Sequence, residues 1–271
     1  MAFKIKLKKK DSKKKSTKKQ SNAAEVTISD NTKFAIVEAY KSARSNIMFS
    51  LSAEEQKFFA VTSYAKGEGK STVSSNLAIS FSKTDRKVLV LDCDLRRPNI
   101  HNIFKLENSV GLSNVVGGMA EFDDVVHRDV LPNLDILTSG TIPPNPSELL
   151  CSKRFNDLVE SVKNDYDYII FDTPPVGVVS DALLLKDKLA GFVLVLRERS
   201  TTHGDIQKMM ESIKLADSKI LGFLKVGCTP VHKKYGRGYY RYYKYGYYSN
   251  YGYGGYSSYG YYSQSDSNKE K

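Results

Sequence analysis

The sequence predicts an α/β protein with a doubly wound, mostly parallel sheet, carrying a basic N-terminal arm and a tyrosine-rich C-terminal tail. Three observations predict it. Short β-branched and aliphatic runs alternate with longer amphipathic stretches, the pattern of strand–helix units. The strand-like runs are almost continuously apolar, which suits strands buried on both faces. The residues able to carry chemistry fall just after those runs, where open α/β sheets bind ligands. A chain of 271 residues is long enough to bury one sizeable core.

Taken in order, residues 1–30 form an arm rich in Lys, Ser and Asn with no apolar period, and they are expected to be disordered. Met1 to Gln20 hold ten lysines against Asp11, about +9. A helix follows, with Phe34, Ile36, Val37, Tyr40, Ala43, Ile47 and Met48 at helical spacing. Strands are expected at Phe58–Thr62, Lys87–Asp92, Leu134–Thr138, Tyr168–Asp172, Gly191–Leu196 and Ile220–Val226. Helices are expected at Lys70–Ser82, Ser147–Lys163, Asp181–Lys188 and His203–Ala216. Residues 31–230 make the domain.

From about Tyr235 the chain is Tyr, Gly and Ser, with almost no aliphatic residue to build a core. Fourteen of the eighteen tyrosines lie between Tyr235 and Tyr262. Residues 231–271 carry about +5, so the net +11 belongs to the two ends and the body is near −3. That distribution argues against a nucleic-acid-binding surface on the body. Cys93, Cys151 and Cys228 are odd in number and widely spaced, which fits a reducing cytosol rather than a disulfide or zinc framework. No segment approaches the ~18 apolar residues of a membrane span. The basic start lacks the apolar stretch of a signal peptide. The lysine arm could lie on an anionic membrane surface, or it could be a solvated tail.

Three motifs carry the chemistry. Tyr64-Ala65-Lys66-Gly67-Glu68-Gly69-Lys70-Ser71 follows a strand and opens a helix. Glycines at 67 and 69 allow backbone angles that turn successive N–H groups inward to cradle phosphate. Lys70 then supplies a point charge to the β/γ-phosphates, and the Ser71 hydroxyl can ligate Mg²⁺. The usual first glycine is replaced by Tyr64. The second motif, Asp92-Cys93-Asp94-Leu95-Arg96, puts two carboxylates on one side of an extended chain. One can hold Mg²⁺, and the other can orient or deprotonate an attacking hydroxyl. In the third, four apolar residues end in Asp172-Thr173-Pro174-Pro175, a Walker B pattern whose carboxylate assists Mg²⁺. Each acidic strand end alone has a plain turn explanation. All three in this order point to ATP and Mg²⁺.

With its tyrosine-rich end, this set resembles the bacterial tyrosine kinases of capsule and exopolysaccharide systems, members of the P-loop NTPase superfamily. The resemblance runs from about Asn31 to the end of the tail and is greatest to the Gram-positive form, a separate cytoplasmic chain. It implies an ATP- and Mg²⁺-dependent protein-tyrosine kinase that phosphorylates its own tail in trans and regulates polysaccharide synthesis or export. It implies that Ala65, Lys66, Gly67, Glu68, Gly69, Lys70, Ser71 and Thr72 hold the nucleotide. Lys70, Asp92, Asp94, Arg96 and Asp172 would be catalytic, with Asp92 as the base, and Ser71, Asp92 and Asp172 would hold the metal. The phosphoacceptors would be Tyr239, Tyr240, Tyr242, Tyr243, Tyr245, Tyr247 and Tyr248. Glu38, Lys41 and Arg44 occupy the Glu-x-x-Arg-x-x-Arg positions through which relatives build a ring, with Lys41 in place of an arginine. Implied partners are a transmembrane activator whose cytoplasmic segment completes the site, further copies of the chain, protein tyrosine substrates and a phosphotyrosine phosphatase. Implied localisation is peripheral, at the inner face of the cell membrane.

Lys66 stands where relatives have proline, and Val226 where their last strand ends in an adenine-side asparagine. Two other readings stay open. One is a partition-type ATPase switch, although its signature lysine falls at Ala65. The other is a nucleotide-binding scaffold without turnover.

Overall fold

In the computed structural model, which describes residues 27–29, 32–54 and 57–228, the apolar runs become one seven-stranded sheet. The strands are β1 (Phe58–Ser63), β2 (Val88–Asp92), β3 (His127–Leu131), β4 (Leu134–Leu137), β5 (Tyr168–Asp172), β6 (Gly191–Arg197) and β7 (Ile220–Val226). Their spatial order is β3-β4-β2-β5-β1-β6-β7. All neighbours are parallel except β3 and β4. The expected fold class is therefore the observed one. Strand β3 was not expected. It is a largely exposed edge with Asp129 at φ 49° and an irregular pairing to β4, so it presents no apolar run to read.

The strand periodicity divides the core into two layers. Phe58, Ala60, Leu89, Leu91, Ile169 and Phe171 face one side, and Phe59, Val61, Val88, Val90, Tyr168 and Ile170 face the other. The first side is covered by α4 (Leu112–Val116), α7 (Lys153–Val162), α8 (His203–Leu215) and a 3₁₀ helix at Asp181–Lys188. The second is covered by α1 (Phe34–Ser50), α2 (Lys70–Ser82) and α3 (Ile100–Phe104). Two short helices, α5 (Phe122–Val125) and α6 (Pro146–Cys151), complete the elements of the described residues.

Three local expectations change. The single helix expected over Ser147–Lys163 is two, because the chain turns extended at Ser152 and its side chain caps α7 by accepting the Phe155 N–H. The segment after Asp181 winds as a 3₁₀ helix rather than an α-helix. Ile28, expected within the arm, is buried, and its N–H donates to Asn76 Oδ1 at 2.7 Å. On α1, Val37, Tyr40, Ala43 and Ile47 pack inward, while Phe34, Ile36, Met48 and Phe49 remain on the surface. No described helix is long and apolar enough to cross a membrane.

Candidate nucleotide site

The sheet order explains how three motifs far apart in sequence meet. β2, β5 and β1 are neighbours, with β5 in the middle. Their carboxyl ends carry Asp92, Asp172 and the glycine-rich loop. Asp92 lies opposite Asp172 in the β2–β5 register, and Val61 lies opposite Asp172 in the β1–β5 register. β2 and β5 end level with one another and β1 runs on to Ser63, so three adjacent strands deliver their terminal residues to a single crevice.

The loop runs from β1 into α2. Gly67 and Gly69 have φ of 79° and 96°, left-handed values that a side chain would strain. Gly69 is the N-cap of α2, and no side chain caps the helix there. Tyr64, in place of the usual glycine, is accommodated from outside the loop. A Cβ on Gly177 would lie 2.5 Å from both the ring and the carbonyl oxygen of Tyr64, so Gly177 allows the tyrosine its close approach. The Gly177 N–H donates to that carbonyl at 3.1 Å. On the opposite side, Val226 lies against Gly69, its Cγ2 being 3.5 Å from where a Cβ would stand. Thr72 follows in the first turn of α2, and Lys66 is exposed.

Lys70 turns back over the loop into a buried acidic group. Its Nζ is 2.6 Å from Asp94 Oδ2 and 3.8 Å from Asp172 Oδ2. Asp92 and Asp172 are 0% exposed. Asp92 Oδ2 accepts the N–H groups of Asn99 at 3.2 Å and Ile100 at 3.1 Å, at the start of α3, and its Oδ1 accepts the Asp94 N–H at 3.3 Å. Ser74, one turn beyond Lys70 on α2, donates to Asp172 Oδ1 at 2.9 Å. Asp172 Oδ2 is buried and accepts no hydrogen bond.

Three carboxylates against one ammonium leave the group short of positive charge. Burial lowers the Lys70 pKa, but Asp172, Asp94 and Asp92 outweigh it and the balance is upward. Burial, reinforced by Asp172, pushes the Asp92 carboxyl up to about 8, against the pull of Lys70 and the Ile100 N–H. Burial likewise raises Asp172, opposed by Lys70, Ser71 and Ser74. Such a group favours an added cation, and the buried Ser71 hydroxyl and Asp172 Oδ2, which accepts no hydrogen bond, are of the oxygen type that suits magnesium, although among the described residues no three Asp, Glu, His or Cys side chains are grouped to hold a metal ion by themselves.

Arg96 makes its hydrogen bonds outside this group. Its Nε donates to Asp181 Oδ2 at 2.6 Å and its Nη2 to Asp181 Oδ1 at 3.2 Å, a bidentate pair. Nη2 also donates to Ser147 Oγ at 3.0 Å, and that hydroxyl donates to Asp181 Oδ1 at 2.8 Å. The arginine thus ties the turn after β2 to the start of the 3₁₀ helix. Glu68 is another residue whose partners sequence reasoning missed. One carboxylate oxygen accepts the Ala65 N–H at 2.9 Å, and the other accepts the Thr201 hydroxyl. Thr201 lies 133 positions downstream, and no local spacing signals the contact. Ser74, at i+4 from Lys70, was legible in principle as the next residue on the same helix face.

Glu38 and Lys41 form an exposed pair on α1 at 2.8 Å. Arg44 instead turns inward, and Nη1 donates to the Ser80 carbonyl on α2. The acceptor tyrosines of the tail and the lysines of the arm lie outside the described residues.

Comparison with known proteins agrees with this geometry. The AAA domain family model matches residues 56–225. The tyrosine-protein kinase YwqD of Bacillus subtilis is 40% identical over 200 residues, covering 73% of this chain and 84% of that protein. Among solved structures, the chimerical protein CapA2B2 superposes with a TM-score of 0.69 at 36% identity, covering 72% of this chain and 86% of that one. The kinase domain of the Escherichia coli tyrosine kinase ETK gives 0.67 at 34%, covering 74% and 80%. The septum site-determining protein MinD of Pyrococcus horikoshii, complexed with Mg-ADP, is more distant, at 0.53 and 26%, covering 62% and 68%.

Proposed function

The chain belongs to the bacterial tyrosine-kinase family of P-loop proteins, and from that premise we propose that it transfers the γ-phosphoryl of ATP to tyrosines of its own tail, in trans within a homo-oligomer. The observation that carries this reading is the convergence of Lys70, Asp92, Asp94 and Asp172 at the ends of three adjacent strands.

The residues divide the work. The loop amides and the α2 N-terminus receive the phosphates, and Lys70 orients them. Ser71, Asp92 and Asp172 would hold Mg²⁺, which when bound neutralises charge on the phosphates. A tyrosine hydroxyl, of pKa about 10, is a poor nucleophile until a base takes its proton. In this reading Asp92 takes it. The Asn99 and Ile100 N–H groups fix its orientation. The tyrosine oxygen then bonds to phosphorus as the bond to ADP breaks. Arg96, engaged by Asp181, acts here by positioning the loop that bears Asp92 and Asp94.

The tail fits the substrate role by composition. Tyr239, Tyr240, Tyr242, Tyr243, Tyr245, Tyr247 and Tyr248 are interleaved with glycines and basic residues. Tethering would present them to a neighbouring site at high effective concentration. In the wider reading, a transmembrane activator supplies a cytoplasmic segment that completes the site, a phosphatase resets the tail, and the target is capsule or exopolysaccharide synthesis at the inner membrane face. The exposed Glu38–Lys41 pair and the neighbouring apolar residues of α1 are the ring surface in this reading.

The test uses the full chain with labelled ATP, Mg²⁺ and the activator's cytoplasmic segment. Phosphotyrosine in the tail, abolished in Lys70→Met, is the expected result. Free phosphate without labelled protein would identify a partition-type switch instead, and neither product would identify a scaffold.

A further inference from the structure

The glycine-rich loop contains a carboxylate. A loop that receives a triphosphate gains nothing from a negative charge of its own, because like charges raise the cost of binding. Yet Glu68 lies at the centre of this loop and is only 2% exposed. A buried carboxylate needs partners, and its two oxygens have one each. The Ala65 N–H, three residues back, holds one oxygen at 2.9 Å, closing a turn inside the loop. The Thr201 hydroxyl holds the other from the turn after β6.

Thr201 is itself held. Its hydroxyl oxygen accepts the Arg197 N–H at 2.8 Å, which leaves the hydroxyl proton for Glu68. The Thr201 N–H donates to the Arg197 carbonyl at 3.0 Å, and Arg199 adopts the left-handed conformation at φ 64°. The turn is therefore tight and shaped by its own hydrogen bonds. A second tie runs the same way, from Arg197 Nη1 to the Gly67 carbonyl at 3.1 Å. Fixing that carbonyl outward orients the adjoining peptide of the phosphate cradle.

We infer that Thr201 is a positioning residue for the nucleotide: through Glu68 it holds the phosphate-binding loop in its receptive shape and keeps the loop's own carboxylate turned away from the incoming phosphates. The β6–α8 turn is then a working part of the nucleotide site, although it holds none of the three motifs. The inference rests on the nucleotide-binding reading above and adds to it a determinant outside the loop.

The experiment measures Mg-ATP binding to the full chain by calorimetry, together with thermal midpoints and steady-state phosphorylation. Thr201→Val removes the hydroxyl at nearly constant volume. It is expected to weaken Mg-ATP binding about tenfold, the effect of leaving one buried carboxylate oxygen unpaired. KM for ATP should rise in step, with kcat at saturating ATP within about threefold. Thr201→Ser, which keeps the hydroxyl, should bind within about twofold of the native chain. Glu68→Ala should make a further Thr201→Val change silent, since the valine acts only through that carboxylate. A folded Thr201→Val chain that binds Mg-ATP as the native one does would overturn the inference. So would a Thr201→Ser chain as impaired as the valine variant. If Thr201→Val does not fold, the same comparison is made with Thr201→Ala. A native chain that takes up no Mg-ATP would instead refute the nucleotide-site reading, whatever the variants do.

Discussion

Lys70→Met tests the central arrangement through stability, independently of any kinase assay. The lysine is nearly buried and lies 2.6 Å from Asp94 and 3.8 Å from Asp172, with Asp92 contributing to its raised pKa. Methionine has a similar length but no charge, so it leaves three buried carboxylates without their ammonium. Removing one partner of a buried pair costs about 3–5 kcal/mol. Here the lower end applies, because the carboxylates can neutralise themselves by binding protons. A loss of about 3 kcal/mol in a domain of this size lowers the thermal midpoint by about 6–12 °C. The sign of the pH dependence follows. Lys70 pulls the Asp92 and Asp172 pKa values down, so without it both rise further above the unfolded value near 3.9. The folded variant therefore binds more protons than the unfolded one, and its stability falls as pH rises. Urea unfolding of native and variant chains, without nucleotide or Mg²⁺, should show a gap that widens as pH rises through about 8, where Asp92 of the native fold ionises and that of the variant still holds its proton. A gap that does not change between about pH 7 and pH 10 would refute the picture of three carboxylates sharing one cation. Tail phosphorylation in the same variant should fall at least about 100-fold.

Asp92→Asn addresses the same group from the other side. The native Asp92 pKa of about 8 means that the ligand-free fold loses stability from Asp92 as pH rises from about 4 to about 8. Differential scanning at a series of pH values should find the Asp92→Asn chain gaining on the native one across that window, and a constant difference would contradict it. Arg96→Ala should cost about 2–3 kcal/mol, since it strips a buried carboxylate of its bidentate partner while the arginine side chain is itself 41% exposed. Adding Asp181→Asn should restore most of that in urea titrations, and no restoration would show that Arg96 stabilises through some other group. Replacing the tail tyrosines by Phe should leave the oligomer larger than the phosphorylated native form, because about three phosphates at −1.5 to −2 each would reverse a tail charge of about +5. Equal sizes by light scattering would end that mechanism.

The sheet and the site were legible to different degrees for physical reasons. Central strands such as Tyr168–Asp172 are buried on both faces, so their sequence is an unbroken apolar run and their limits could be read to the residue. β3 is an exposed edge that gains its identity from pairing with β4, a tertiary fact absent from its own residues. The break at Ser152 had a local cause, a serine able to cap α7, yet apolar spacing on both sides suggested one helix. Among site residues, Lys70, Asp92, Asp94 and Asp172 could be placed because strand ends and a glycine-rich turn are local signals. Arg96 could not. Its motif neighbours suggested catalysis, while its partner Asp181 is 85 positions away and carries no signal of its own. Glu68 was legible as a loop residue and opaque as a link to Thr201 for the same reason.

These long-range ties also explain why the site can remain both buried and binding-competent. Asp92, Asp94 and Asp172 oppose one another, and one lysine does not balance them. Left to itself such a cluster would open to water or take up protons. It is instead held by elements outside it: Asn99 and Ile100 N–H groups on Asp92, Ser74 on Asp172, the Arg96–Asp181 pair behind the β2 turn, and the Thr201–Glu68 link across the loop. The fold thus keeps negative charge in place at a cost in stability, and anything that brings positive charge to the crevice lowers that cost. On the reading proposed above, binding of a magnesium nucleotide would thereby be linked to stability. The same linkage would make the surroundings of the crevice, and not the carboxylates alone, a place where affinity for the nucleotide is set.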